Sequence, residues 1–149
     1  IFLEKLLSKT PNIKFDIYGI KKIQPIWAEH YFKTIANAKM GLNLSRGEAI
    51  KYYSSDRITQ IIGNGLVCLI DEKTNYQDFF EKDEMVFYKS LNDLSEKIIK
   101  LSSDEKLRRK IGKKGKLKYM KYFNSDLVSE FIINKTLDIK NNKKYLWEK

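Results

Sequence analysis

The stretch "KYYSSDRITQIIGNGLVCLIDE", Lys51–Glu72, decides the fold because it joins an apolar helix to an apolar strand. Ile58, Ile61 and Ile62 recur at helical spacing, and the glycines of "GNG" end the helix. The run "LVCLI" follows, and a short, continuously apolar run is typical of a parallel strand that is buried on both faces. The stretch therefore predicts a helix that leads into a central strand.

Strands and helices alternate along most of the chain. The segment "NIKFDIYGI" alternates apolar and polar residues, which predicts a strand that ends at Gly19. "KMGLNLS" and "MVFY" predict two further strands, "AEHYFKTIANA" predicts a helix, and "NYQDFF" predicts a short helix. This alternation implies right-handed βαβ crossovers. The sequence therefore predicts an α/β fold, a Rossmann-like parallel sheet with helices on both faces that ends in two or three consecutive helices.

The final helices have recognisable starts. Ser90 predicts an N-cap for "LNDLSEKIIKL", and Asn124 predicts one for "SDLVSEFIINKTLDI". Ser102 and Glu105 have the spacing of a capping box before the helix of residues 104–123.

The length of 149 residues suits a single domain. Residues 1–139 are predicted to form that domain, and residues 140–149 to form a polar, lysine-rich tail. Tyr145, Leu146 and Trp147 are expected to dock the tail on the domain. Because the sequence has no initiator methionine, we expect it to be a piece of a longer protein.

Cysteine content and hydropathy limit the class of protein. The single cysteine, Cys68, excludes an internal disulfide, and the sequence offers no cysteine and histidine pattern for zinc. The longest apolar run, Leu66–Ile70, is far shorter than the roughly 18 residues of a membrane span. We therefore expect a cytoplasmic protein in a reducing compartment, and peripheral attachment to the inner face of the membrane stays open.

Polar residues frame the start of the central helix, where packing alone does not require them. Ligands of open parallel sheets bind outside the carboxyl ends of the strands, and the loops 19–26 and 45–53 are expected to lie there. A capped helix start adds free N–H groups that suit a phosphate. Ordinary serine capping, with a surface ion pair between Asp56 and Arg57, is the structural alternative. The residues predicted to bind a diphosphate are Arg57, Lys51, Arg46, Ser54 and Ser55.

Several segments together resemble a known family. These are "FDIYG", "GLNLSR", "RITQIIGNG" and the helix "LRRKIGKKGKLKYMKYF", in that order. From about Lys14 to Ile139, their spacing resembles the carboxy-terminal domain of a GT-B glycosyltransferase of the group 1 type. The nearest branch is spore-maturation-protein-like. The match is carried by the order of the pieces, because no single one of them is highly specific.

The resemblance implies that this domain binds the nucleotide-sugar donor of a glycosyltransferase. It puts the diphosphate at Arg57 and the Ser54–Ser55 helix start, and the nucleoside near Gly19 and Ile20. It puts the ribose at Gln60, where the family commonly has a glutamate that accepts hydrogen bonds from the ribose hydroxyls. An amide can accept such a bond but carries no charge.

The resemblance also sets expectations for the reaction. Tyr52 stands where retaining enzymes have a second glutamate, and the sequence contains no Asp-x-Asp motif, so neither a standard retaining site nor a metal is predicted. No cofactor is expected beyond the nucleotide-sugar, which is a substrate.

The catalytic residues stay unassigned, because the general base and the acceptor pocket usually lie on an amino-terminal domain. That domain is expected to be missing here, so this domain alone is expected to be inactive. The acceptor would be a glycan, a lipid-linked molecule or a protein.

The segment 104–123 gives the rival interpretation. It holds nine basic residues against two acidic ones, and so carries seven of the ten net positive charges of the chain. A non-enzymatic basic α/β module could bind nucleic acid or anionic surfaces through this helix. However, a stripe of apolar or small residues at i, i+4 spacing predicts that one face of this helix belongs to the core. We expect the lysines to form the opposite, solvated face, and we do not expect nucleic acid as a partner. A degenerate transferase domain, suggested by Gln60, is a third alternative. The stripe consists of Leu107, Ile111, Gly115, Tyr119 and Phe123.

Overall fold

The computed structural model describes residues 2–20, 22–44 and 47–148. Three parallel strands and six α-helices make up the regular structure of these ranges, and the last three helices follow one another, as predicted. The helices are α1 (Phe2–Lys9), α2 (Ala28–Asn37), α3 (Arg57–Gly63), α4 (Leu91–Ser103), α5 (Glu105–Tyr122) and α6 (Ser125–Thr136). The strands are β1 (Met40–Asn43), β2 (Val67–Asp71) and β3 (Val86–Tyr88). In place of the short helix predicted after β2, there are two 3₁₀ turns, Glu72–Thr74 and Tyr76–Asp78.

The sheet has the order β1-β2-β3, with parallel pairing throughout and β2 in the centre. Val67–Ile70 are all buried, which confirms that this strand is covered on both faces. Its alternate side chains join two separate cores. Leu69 packs in a cluster with residues of α1 and α4, and Ile70 packs in a cluster with α3 and the chain that follows β2. The predicted α/β fold, with helices on both faces of an open parallel sheet, is confirmed.

The burial of Cys68 shows that the centre of the sheet is shielded from solvent. The Cys68 side chain is 1% exposed and lies in the α3 cluster, as predicted for a residue of the buried run "LVCLI". Burial raises the pKa of its thiol to about 12, because the thiolate would lose its hydration. Cys68 therefore remains a protonated, unreactive thiol at neutral pH.

The strand predicted at "NIKFDIYGI" is wrong. Residues 14–18 have no regular secondary structure, and within the described residues β1 has only β2 as a neighbour. Ile13 and Phe15 nevertheless pack against the core that contains Leu69. The alternating pattern correctly marked which side chains face the core. It could not show that the backbone lies outside hydrogen-bonding register with the sheet.

Two predicted helix caps are confirmed. The Ser90 hydroxyl accepts a hydrogen bond from the Asp93 backbone N–H at 3.2 Å, at the start of α4. The Asn124 side-chain oxygen accepts one from the Leu127 N–H at 2.9 Å, at the start of α6. Each cap satisfies a backbone donor that has no partner within its own helix.

The cap predicted at Ser102 is wrong. Ser102 belongs to the last turn of α4, where its hydroxyl donates to the Ile99 carbonyl at 2.7 Å. Asp104 caps α5 instead, and its carboxylate accepts from the Leu107 N–H at 2.8 Å. Three capping residue types stand in a row at this junction, and α4 runs two residues further than the pattern indicated.

We expect Ser90→Ala to lower the free energy of unfolding by about 1 kcal/mol, because the Asp93 N–H loses its acceptor at the start of α4. Urea unfolding of the two proteins measures the difference. Ser102→Ala is the matched control, and it should change stability by no more than a few tenths of a kcal/mol, since its hydroxyl only adds a bond within a formed helix. Equal losses in both variants would contradict the assignment of the cap.

The tail docks as expected. Tyr145 is 6% exposed, and its hydroxyl donates to the Glu130 carboxylate of α6 at 3.0 Å. The Trp147 ring lies 5.7 Å from the Phe131 ring, at nearly a right angle. The polar tail therefore returns to the domain and packs along α6.

Candidate functional site

A cavity of about 470 Å³ lies beside the start of α3, at the end of the sheet where the strands finish. One wall is formed by the loop before α3 and the first turn of that helix, between Tyr52 and Thr59. Tyr76, Phe79 and Phe80, which follow β2, form the base. Its volume falls within the roughly 300–1,000 Å³ that is usual for small-molecule sites.

The opposite wall comes from distant parts of the chain. Tyr119 and Phe123 contribute from the last turn of α5, Val128 from α6, and Trp147 from the tail. The lining is therefore mainly aromatic. Neighbouring rings lie about 5 to 6 Å apart, as between Tyr119 and Phe123 at 5.7 Å, so that several flat apolar surfaces face one space.

Hydroxyl groups are the principal polar groups of the cavity. The Tyr76 hydroxyl donates to the Ser54 hydroxyl at 3.1 Å, and the hydroxyls of Thr59 and Tyr119 share a hydrogen bond of 3.1 Å. Burial raises the pKa of Tyr76, against the Ser54 hydrogen bond, which lowers it, so Tyr76 is a neutral donor at physiological pH. Asp56 adds one carboxylate to the lining.

Ser54 and Ser55 both line the cavity, but neither caps the helix. The residue before α3 is Asp56, and its side chain makes no cap hydrogen bond either. Ser54 is held by Tyr76, and the Ser55 hydroxyl donates to the Asn43 side-chain oxygen at 2.8 Å. The predicted capping role of the two serines is therefore wrong, because their hydroxyls bond to the end of β1 and to the segment after β2.

Asn43 is the polar side chain that ends β1. It is 3% exposed, and its side-chain nitrogen makes no hydrogen bond within the described part of the chain. A buried amide donor without a partner is costly and uncommon in cores that serve only for packing. Asn43 lies next to Ser55, so this unpartnered amide stands beside the cavity that Ser55 lines.

Two of the predicted cationic residues, Arg57 and Lys51, are chain neighbours of residues that line the cavity. The guanidinium of Arg57 donates to the Leu44 carbonyl at 2.9 Å, just beyond β1, and Arg57 does not line the cavity. No ion pair joins it to Asp56, so the alternative of a local surface pair is not observed. The ammonium of Lys51 lies 4.8 Å from the centre of the Tyr52 ring, at the edge of the cavity. Arg46 lies outside the described residues.

The residues predicted for the ribose and the nucleoside do not line this cavity. Gln60 lies in α3, is half-buried, and accepts a hydrogen bond from Asn64 through its backbone carbonyl. Gly19 opens a tight turn in which its N–H donates to the Ile23 carbonyl at 3.1 Å, and Ile20 is exposed in that turn. The structure therefore brings Ser54, Ser55 and Lys51 together but leaves these three residues apart, and their assignment stays a prediction.

Sequence reasoning missed the aromatic lining. Tyr119 and Phe123 were predicted to belong to a core stripe, and "NYQDFF" was interpreted only as a short helix. The signal that could have found the site is the concentration of aromatic residues directly after the most buried strand, where ligands of parallel sheets bind.

The basic helix α5 is less free than its composition suggests. Arg108 is 8% exposed, Lys114 is paired with Asp83, and the ammonium of Lys118 lies 2.9 Å from the Glu84 carboxylate. The predicted core stripe is confirmed, with Ile111 and Gly115 buried. Intramolecular partners thus neutralise part of the charge that would bind an anionic surface. No helix in the described ranges is both long enough and apolar enough to cross a bilayer.

An open parallel sheet with a cavity beyond the ends of its strands defines a class of α/β ligand-binding domains. Within that class, a family model described as "Glycosyl transferase-like" matches residues 1–134. The chain therefore belongs to this glycosyl transferase-like family. A search of curated proteins and a search of solved structures give no match. The spore-maturation-protein-like branch stays a prediction.

Proposed function

We propose that this domain binds the nucleotide-sugar donor of a glycosyltransferase that transfers the sugar to a glycan, a lipid-linked molecule or a protein. The observation that carries the proposal is the aromatic, hydroxyl-lined cavity at the end of the sheet in a glycosyl transferase-like chain. An amino-terminal domain would supply the general base and the acceptor pocket.

The cavity suits the ring portions of such a donor. Aromatic side chains stack on bases and on the apolar faces of sugars. The hydroxyls of Ser54 and Thr59 and the carboxylate of Asp56 can bond to ribose or sugar hydroxyls. A diphosphate fits the same lining poorly, because no cationic side chain is among the described residues that line the cavity.

The diphosphate is therefore assigned to the rim, outside the aromatic cavity. Arg57 begins α3 with an exposed guanidinium, and its bond to the Leu44 carbonyl occupies one of five N–H donors. Lys51 is exposed beside Tyr52. These two cations would stabilise the negative charge that develops on the leaving nucleoside diphosphate. This arrangement keeps the predicted diphosphate-binding roles of Arg57 and Lys51. The base and the sugar of the donor, and not its diphosphate, would lie beside Ser54 and Ser55.

Isothermal titration with UDP, GDP and ADP, and with their sugar conjugates, tests the proposal. We expect one of these nucleotides to bind saturably, and we expect Arg57→Ala to weaken the binding of that diphosphate about tenfold, the usual size of a charge-assisted hydrogen bond. The affinity for the corresponding nucleoside, which has no phosphate, should be unchanged by Arg57→Ala.

Arg109→Ala provides the matched control, because Arg109 is an exposed arginine of α5 that pairs with Glu105 and does not line the cavity. It should leave nucleotide affinity within about twofold of the native value. Absence of saturable binding to every nucleotide would refute the proposal. Equal losses in the Arg57 and Arg109 variants would refute the diphosphate role of Arg57.

A further inference from the structure

The carboxy-terminal segment Lys143–Glu148 returns to the cavity and contributes Trp147 to its lining. The Trp147 ring lies 5.7 Å from the ring of Phe123, another lining residue. The family match ends at residue 134, so membership of the family assigns no role to this segment.

The segment is held from outside the cavity, by α6. Glu130 is the main anchor, since its carboxylate accepts from the Tyr145 hydroxyl at 3.0 Å and from the Lys143 ammonium at 2.5 Å. These bonds, with the Lys143 bond as the largest cause, lower the pKa of Glu130 and keep it ionised. Glu148 makes a further ion pair with Lys135 at 3.0 Å. These anchors are made by Lys143, Tyr145 and Glu148, and not by the indole of Trp147.

Two rings set the plane of the indole. Tyr145 stacks on Trp147 with a centroid distance of 5.2 Å and an angle of 26°. Phe131 meets it edge-on, at 88°. Because its neighbours already orient it, the indole would lose little conformational freedom when a ligand ring packs against it.

We propose that Lys143–Glu148 completes the donor cavity and that Trp147 stacks on a ring of the bound nucleotide-sugar, either the base or the sugar. This inference rests on the proposed function and adds a binding residue to it. It predicts that ring recognition depends on a segment that lies more than 60 residues further along the chain than Tyr76, Phe79 and Phe80, which form the base of the cavity.

The test combines affinity with tryptophan fluorescence on the full chain. Trp147→Ala should weaken binding of the nucleotide-sugar by about tenfold or more, and Trp147→Phe should stay within about threefold, because stacking needs an aromatic face. The chain has two tryptophans, so in a protein that carries Trp27→Phe the tryptophan fluorescence comes from Trp147 alone. Its emission should change saturably, with the dissociation constant that calorimetry gives.

Phe32→Ala is the matched control, since this aromatic residue is 64% exposed on α2 and does not line the cavity. The affinity of the Phe32→Ala protein for the nucleotide-sugar should equal that of the native chain. Glu148→Gln, which weakens only the anchor to Lys135, covers the case in which Trp147→Ala fails to fold, and it should lower affinity less than the loss of the ring.

The outcomes separate the two proposals. If the native chain binds a nucleotide-sugar while Trp147→Ala binds as tightly and the emission does not change, this inference is wrong and the proposed function stands. Equal losses in Trp147→Ala and Trp147→Phe would exclude stacking and leave only a structural role. If the native chain binds no nucleotide-sugar, both proposals fall.

Discussion

Gly112→Ala is expected to lower the free energy of unfolding by about 2–3 kcal/mol or to prevent folding. A Cβ atom at Gly112, in α5, would lie 2.1 Å from the backbone carbonyl oxygen of Gly65. Backbone cannot swing aside as a side chain can, so α5 would have to move away from the chain that enters β2. The better helix propensity of alanine, worth about 1 kcal/mol, is smaller than this cost.

Guanidinium-induced unfolding of Gly112→Ala and Gly63→Ala gives the comparison. Gly63 ends α3, and an added Cβ there would meet only the terminal carbon of Met120, at 3.8 Å. Gly63→Ala should therefore be neutral or stabilising by up to about 1 kcal/mol. A Gly112→Ala protein with native stability would show that α5 and β2 are not packed as closely as described.

Arg108→Ala is expected to cost about 2–3 kcal/mol of stability. The guanidinium is buried and donates to the Leu101 carbonyl at 2.7 Å, with a longer contact to the Ser102 carbonyl at 3.4 Å. Both carbonyls belong to the last turn of α4, where backbone acceptors lack partners and positive charge is favourable. Removing the guanidinium leaves these two carbonyl oxygens without a hydrogen-bond donor, next to the buried residue Leu101.

Arg109→Ala tests whether burial, and not charge alone, sets this cost. Arg109 is the next residue of α5, and it forms an exposed ion pair with Glu105 at 2.6 Å. Its loss should change the free energy of unfolding by less than about 0.5 kcal/mol. Equal effects of the two substitutions, measured by urea unfolding, would contradict the structural role of Arg108.

Local patterns in the sequence predicted much of the fold. The apolar run around Cys68 and the caps Ser90 and Asn124 depend on neighbours in the chain, and each was predicted correctly. Gly115 belongs to the predicted core stripe of α5 and packs closely there, since a Cβ at this position would lie 2.3 Å from the Glu84 carbonyl oxygen. The strand at "NIKFDIYGI" was wrong because pairing depends on a distant backbone and not on the alternation itself.

The burial of Arg108 was also not predicted from the sequence. Arg108 stands within a run of basic residues whose lysines were assigned to the solvated face, and its partners are carbonyls of another helix. No pattern of side chains encodes the direction in which a neighbouring helix presents its last carbonyl groups. Only the packing of α4 against α5 decides it.

The location of the candidate site was more predictable than its lining. The rule that ligands bind beyond the ends of parallel strands pointed to Ser54 and Ser55, and both line the cavity. Tyr119 and Trp147 lie more than 60 residues further along the chain, so their approach to the serines depends on the packing of α5, α6 and the tail. Lining residues brought together by tertiary packing leave no spacing signal.

The inaccessible sulfur in the central strand has a practical consequence. With a thiol that is 1% exposed and has a pKa of about 12, Cys68 should not react with maleimides at neutral pH. A cysteine introduced at an exposed site would then accept a fluorophore or spin label selectively, without any change to the native chain. Distances between the tail and α3 could be followed in this way while nucleotides are added.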